Sequence, residues 1–199
     1  SAGNTKEEKQ AENFRKMVVA MAKDIRVLLV KLADRIHNMR TLEHMAPEKQ
    51  DRIAQETLDI YAPLSNRLGM QSVKSELEDL SFRYLKPTEH GEIQERVASR
   101  AKERDLFVEE VVRLIQARLA ENGIQAKIYG RVKHLYSIWR KMHVGDLPFE
   151  QIHDLVAFRV IVGTVAQCYE ALGLIHSLWK PVPGRFKDYI AIPKPNLYQ

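Results

Sequence analysis

The chain has 199 residues, 45% of them hydrophobic and 29% charged, the composition of an ordinary soluble protein. No run of about 18 uncharged apolar residues is present, which excludes a transmembrane helix, and a lone cysteine, Cys168, excludes an internal disulfide framework or a multi-cysteine metal site. The net charge of +5 is unevenly placed: residues 125–199 hold ten Lys/Arg and five Asp/Glu, leaving 21 of each in residues 1–124 from totals of 31 and 26. The whole excess lies in the C-terminal part and points to an anionic ligand there. The N-terminal Ser-Ala-Gly-Asn-Thr-Lys has neither an apolar core nor a cleavage pattern, so no signal peptide is expected and the setting is read as cytoplasmic.

Residues 5–122 read as helix. Glu7 to Lys23 carries Phe14, Met17, Val18 and Met21 at helical spacing. Asp24 suits the N-cap of a second helix reaching about His44, with Ile25, Leu28, Leu29, Leu32, Ile36 and Met39 on its apolar side. Pro47 fits the first turn of a third helix that ends near Gly69, and Ser72 to Leu85 forms a fourth. Thr88 to Asn122 reads as one long, charge-laced helix stopped by Gly123.

Beyond Gly123 the pattern changes. Ile124 to Gly130 alternates like a strand, Lys133 to Met142 looks helical, and Leu155 to Val162 is a continuous apolar run typical of a buried strand. Gln167 to Trp179 is helical again, with Cys168 expected to be a buried, inert thiol, and Asp188 to Ile192 reads as a further strand. A second, α/β-type domain therefore begins near residue 124. The few strands are too few to close a sheet, so an incomplete domain is expected.

Two groups of residues carry chemistry. In the second helix Asp34 and Asn38 share a face beside the apolar stripe, one turn apart. On composition alone Asp34 is read as an ion-pair partner of Lys31, Arg35 or Arg40, because one carboxylate is weak evidence for a metal centre. In the C-terminal part Arg131 and Lys133 face one side after a strand, and Ser137 and Lys141 follow at steps of four, an arrangement suited to polyphosphate oxygens. Asp154 precedes the apolar strand and Arg159 lies within it. The pair suits a Mg²⁺ ligand with an anion- or ring-binding arginine, or an ion pair with each other. Arg185 and Lys187 alternate with Asp188 on the other side, before Lys194, Asn196 and Tyr198.

Together these stretches resemble the bifunctional RelA/SpoT family, the enzymes that make and destroy the alarmone (p)ppGpp. The resemblance is carried by Lys31-Leu-Ala-Asp-Arg-Ile-His-Asn-Met-Arg-Thr41, Tyr129-Gly-Arg-Val-Lys-His-Leu-Tyr-Ser-Ile-Trp-Arg-Lys141, His153-Asp-Leu-Val-Ala-Phe-Arg159 and Pro183 through Gln199. It implies an α+β chain: an all-α HD-type helical region followed by a partial nucleotidyltransferase-like α/β synthetase domain. The implied boundaries are residues 1–85 for the HD-type part, 86–123 for a connecting helix, and 124–199 for the start of the synthetase domain.

By the same resemblance, Asp34 is a Mn²⁺ ligand of the hydrolase and Asn38 contacts the nucleotide. Arg131 and Arg159 would sandwich the ATP adenine, Lys133, Ser137 and Lys141 would contact its phosphates, and Asp154 would hold Mg²⁺. Arg185, Lys187 and Asp188 form the Arg-x-Lys-Asp signature of bifunctional members, with Lys187 near the chemistry. Lys194, Asn196 and Tyr198 fall on the guanine-nucleotide side, although Leu197 stands where many relatives carry glycine. The implied partners are ATP, GTP or GDP and (p)ppGpp, with the ribosome reached only through regulatory regions outside this chain and no membrane or direct nucleic-acid contact. The chain alone is expected to lack full activity, since further ligands belong upstream and a glutamate downstream. The helices between Leu42 and Asn122 are expected to transmit a switch between opposed activities. The competing reading is a basic nucleic-acid-binding module on a helical scaffold.

Overall fold

In the computed structural model, which describes residues 5–152 and 154–194, the chain divides into two compact units at Gly91/Glu92. The first is all helix: α1 (Lys6–Lys23), α2 (Ile25–Arg40), α3 (Pro47–Glu56), α4 (Ala62–Arg67) and α5 (Gln71–Leu85). Asp24 caps α2 by accepting from the Arg26 amide. The α-helix ends four residues earlier than its apolar pattern suggests. Thr41 turns its hydroxyl back to the His37 carbonyl at 3.0 Å, and a 3₁₀ turn over Leu42–His44 follows. Leu28, Leu32, Met39, Leu42, Ala54, Leu64 and Leu77 are all but inaccessible and form the core of the unit.

The single third helix expected from Pro47 to Gly69 is interrupted by a π turn over Thr57–Tyr61, between α3 and α4. Pro63 explains it. Proline has no amide hydrogen for the carbonyl four residues back and its ring crowds that carbonyl, so one widened turn absorbs the mismatch. The Ala62 amide accordingly bonds to Thr57, five residues back.

The long fifth helix is two helices, α6 (Pro87–Ser99) and α7 (Ala101–Glu121), broken at Arg100. Ser99 donates its hydroxyl to the Arg96 carbonyl at 2.7 Å, and Arg104 takes the Val97 carbonyl at 2.9 Å, so side chains satisfy the groups at the break. α7 is no free connector. Its Val111, Ile115 and Leu119 pack with Ile128, Phe158, Val160 and Ala171 as the core of the second unit.

That unit adds β1 (Lys127–Val132), α8 (Leu135–His143), β2 (Val156–Ile161) and α9 (Val165–Leu178). β1 and β2 pair antiparallel, Tyr129 opposite Arg159 and Arg131 opposite Ala157. Among the described residues one face of this sheet is packed. Ile128, Phe158 and Val160 point to the core, while Tyr129, Arg159 and Ile161 are exposed on the other face. The apolar run from Leu155 to Val162 is therefore a one-faced strand and not the fully buried strand its composition suggests. Cys168 is exposed on α9, contrary to the buried thiol expected.

No strand forms over Asp188–Ile192. Asp188 takes the Ile190 and Ala191 amides onto its carboxylate at 3.0 and 2.9 Å, which are donors a sheet ladder would need, and the segment turns. Among the described residues no helix is long and apolar enough to cross a membrane.

Candidate functional site

At the end of the β1–β2 ladder the chain continues the pairing for one residue, the Lys133 amide donating to the Leu155 carbonyl at 2.8 Å. This brings Lys133 beside Asp154, the residue that leads into β2. α8 begins at once and carries Ser137 and Lys141 one turn apart on its surface. Asp154 Oδ2 accepts from the ammonium of Lys133 at 2.6 Å and also from that of Lys141. Two lysines from different elements thus share one carboxylate oxygen. Partial burial works to raise the Asp154 pKa, but the hydrogen bonds and charges of the two lysines outweigh it and hold the carboxyl down at about 2. Of the two readings of Asp154 and Arg159, the mutual ion pair is not formed: Arg159 stands on the open face of the sheet.

There it meets Arg131. Because cross-strand partners in an antiparallel pair share a face, Arg131 and Arg159 lie diagonally on the same side, with Tyr129 and Ala157 completing the patch. Tyr129, Arg131, Ala157, Phe158 and Arg159 line a cavity of about 210 Å³. A shallow cationic floor thus adjoins a carboxylate that already gathers two ammoniums, and flat guanidinium planes can stack on a ring as well as bind an anion.

The segment carrying Arg185, Lys187 and Lys194 is organised differently. Arg185 and Lys187 are exposed, Lys194 lies over the Tyr189 ring at 4.6 Å, and Asp188 binds the Tyr169 hydroxyl of α9. Among the described residues no hydrogen bond or ion pair joins this segment to Asp154. Asn196 and Tyr198 lie outside the described residues.

In the helical unit Asp34 and Asn38 are brought together, the Asn38 amide donating to Asp34 Oδ2 at 3.3 Å. Among the described residues the ion pair expected between Asp34 and Lys31, Arg35 or Arg40 is not formed, and the two arginines are engaged elsewhere. Arg35 binds Glu56 at 2.9 Å and lies over the Tyr61 ring at 4.1 Å, and Arg40 forks onto Glu76. Asp34 is left at the surface. Among the described residues no group of three or more His, Cys, Asp or Glu is placed to hold a metal ion.

Sequence reasoning missed Tyr169, which the structure brings onto Asp188. Its signal, a tyrosine on an amphipathic helix nineteen residues before the aspartate, is too ordinary to have singled it out.

Fold and site together define a helical unit joined to an α+β unit whose open sheet face and strand end are lined with cations. Residues 1–71 match the HD domain family, and residues 130–199 match the region found in RelA/SpoT proteins. Over all of this chain it is 63% identical to a GTP pyrophosphokinase of Myxococcus xanthus, covering 26% of that protein. It is 55% identical over 96% of its length to a probable guanosine-3′,5′-bis(diphosphate) 3′-pyrophosphohydrolase of Synechocystis, covering 25% of it. It is 53% identical over 98% of its length to the bifunctional (p)ppGpp synthase/hydrolase SpoT of Escherichia coli, covering 28% of it. The similarity thus runs along the whole chain, which spans about a quarter of the length of the curated relatives it matches.

Proposed function

We propose that the protein works in (p)ppGpp metabolism in the cytoplasm, transferring pyrophosphate from ATP to the 3′-hydroxyl of GTP or GDP and hydrolysing the 3′-pyrophosphate of the product. The observation that carries the synthetic half is the convergence of Lys133 and Lys141 on Asp154, beside the face that bears Arg131 and Arg159. In the transfer, the 3′-oxygen of the acceptor forms a bond to the β-phosphorus of ATP. The bond from that phosphorus to the oxygen bridging it to the α-phosphorus breaks, AMP leaves with the bridging oxygen, and the hydroxyl proton is released. Such a reaction needs alignment and charge neutralisation more than covalent help. Lys133, Lys141 and Lys187 supply positive charge to the phosphate oxygens, Ser137 adds a hydroxyl donor, and Arg131 and Arg159 hold the adenine between planar guanidiniums. Arg185, Lys194, Asn196 and Tyr198 are assigned to the guanine nucleotide, Tyr198 by stacking.

Relatives of this kind imply dependence on a divalent metal. An ionised, half-exposed carboxylate with one oxygen not taken by lysine fits the hard-oxygen preference of Mg²⁺, so Asp154 is the residue that would hold it, and the ion would neutralise phosphate charge. For the hydrolytic half Asp34 is assigned to Mn²⁺ and Asn38 to the nucleotide. The described residues supply a single carboxylate there, which does not by itself fit a metal site.

Incubating the full-length protein that contains this chain with γ-labelled ATP and GDP, and following label into the guanosine 3′-pyrophosphate, tests the assignment. Lys141→Met is expected to lower the transfer rate by roughly 100-fold, the scale for losing one preorganised charge donor. A variant with wild-type turnover would refute the placement of the phosphates beside Asp154.

A further inference from the structure

α9 grips the segment that follows it at two points. Tyr169 and His176 lie two turns apart on one face of the helix. The Tyr169 hydroxyl donates to the Asp188 carboxylate, 3.1 Å from Oδ2 and 3.2 Å from Oδ1. The His176 ring meets Phe186 edge-on, centroids 6.2 Å apart. Asp188 is also turned inward on its own backbone, its Oδ1 accepting the Ile190 and Ala191 amides. Burial, then the Asp188 contact, raises the Tyr169 hydroxyl, and the Ala191 amide leads the interactions that lower the Asp188 carboxyl. Lys187 sits between the two anchors and is itself exposed. A long ammonium arm binds best from a backbone already ordered, because less freedom remains to be lost when the ligand arrives.

We propose that Tyr169 is a positioning residue: through Asp188 it fixes the backbone that presents Lys187 to the phosphates of a bound nucleoside triphosphate. The inference rests on the synthetic reading given above. No chemistry is assigned to Tyr169, whose hydroxyl is bonded to Asp188.

Two measurements on the Tyr169→Phe protein decide the matter. The first is amide hydrogen exchange at Ile190 and Ala191, expected to quicken roughly 3- to 10-fold, the range set by one net hydrogen bond. The second is a double-mutant cycle with Lys187→Met, read as affinity for ATP in the presence of Mg²⁺. Tyr169→Phe alone should weaken ATP about 3- to 10-fold, and in the Lys187→Met background it should change nothing further. A merely structural tyrosine would give the same loss in both backgrounds, and that additivity, or unchanged affinity in the single variant, overturns the proposal. Should the wild-type protein bind no ATP, the synthetic reading fails by itself. The tether from Tyr169 to Asp188 is then judged on exchange alone, and unchanged exchange rejects it.

Discussion

Asp154 carries its charge because two ammoniums outbid the cost of partial burial, and this fixes how its contribution varies with pH. Its carboxyl titrates at about 2 in the fold against an ordinary value near 3.8, so the ionised pairing stabilises the folded protein above about pH 4. The contribution is lost as pH falls through the interval down to about 2. The side chain is 50% exposed, which screens the pair and limits its worth to about 1 kcal/mol or less. Asp154→Asn should therefore cost up to about 1 kcal/mol in urea unfolding at pH 7, and the difference from wild type should shrink as pH falls through about 2. An equal deficit at both pH values would show that packing, not charge, is what the substitution removes. The residue types of this site were legible in the sequence: cations at spacings of two and four, and a carboxylate before an apolar strand. Which partner Asp154 would choose was not legible, since ion-pair choice depends on the antiparallel register that sets Lys133 beside it and leaves Arg159 on the open face.

At the scale of elements, the helices form largely where their apolar spacing puts them, although Val18, Ile25 and Leu29 of the expected apolar sides are exposed, and the breaks have local chemical causes. Pro63 forces the π turn, Ser99 and Arg104 satisfy the break at Arg100, and Asp188 consumes the amides of a would-be strand. Each is a competition between a side chain or ring and the backbone ladder, which hydrophobic period alone does not register. The sheet shows the same lesson through Gly130. A methyl group there would stand 2.6 Å from Val108 Cγ1 and 3.1 Å from the Phe158 ring, so α7 approaches β1 only because the position has no side chain. Valine is stiff about its first torsion and cannot swing clear. Gly130→Ala should destabilise the second unit by about 1–3 kcal/mol in chemical denaturation, the usual cost of overpacking. Trimming the neighbour, in Gly130→Ala/Val108→Ala, should recover a large part of that loss. If the double variant is no better than the single, the clash with Val108 is not the cause. The cap of α9 offers a milder case: Thr164 accepts the Gln167 amide at 3.1 Å, and Thr164→Ala should cost about 1 kcal/mol in the same assay.

At the scale of the whole molecule, the chain is two compact units with different chemistry. The helical unit holds Asp34 and Asn38 together on α2, and the α+β unit holds the cation-rich strand end. The helices expected to transmit a switch between opposed activities do not form one rod, because α7 is part of the second unit's own core. A proline at Val111 would consequently cut that core, at about 3 kcal/mol or more for a helix interior, before it could report on any transmission. The cation excess of residues 125–199 finds its structural expression partly around Asp154 and partly on the segment held by α9. The most direct test of the central claim is calorimetric titration of the protein with ATP in Mg²⁺ buffer, compared with Lys133→Met and Arg159→Ala. Saturable, nucleotide-specific binding, weakened roughly 10- to 100-fold by each substitution as expected for losing a charged hydrogen bond, is the predicted result. Wild-type affinity in both variants, or ATP displaced by RNA of any sequence with a steep salt dependence, would contradict it.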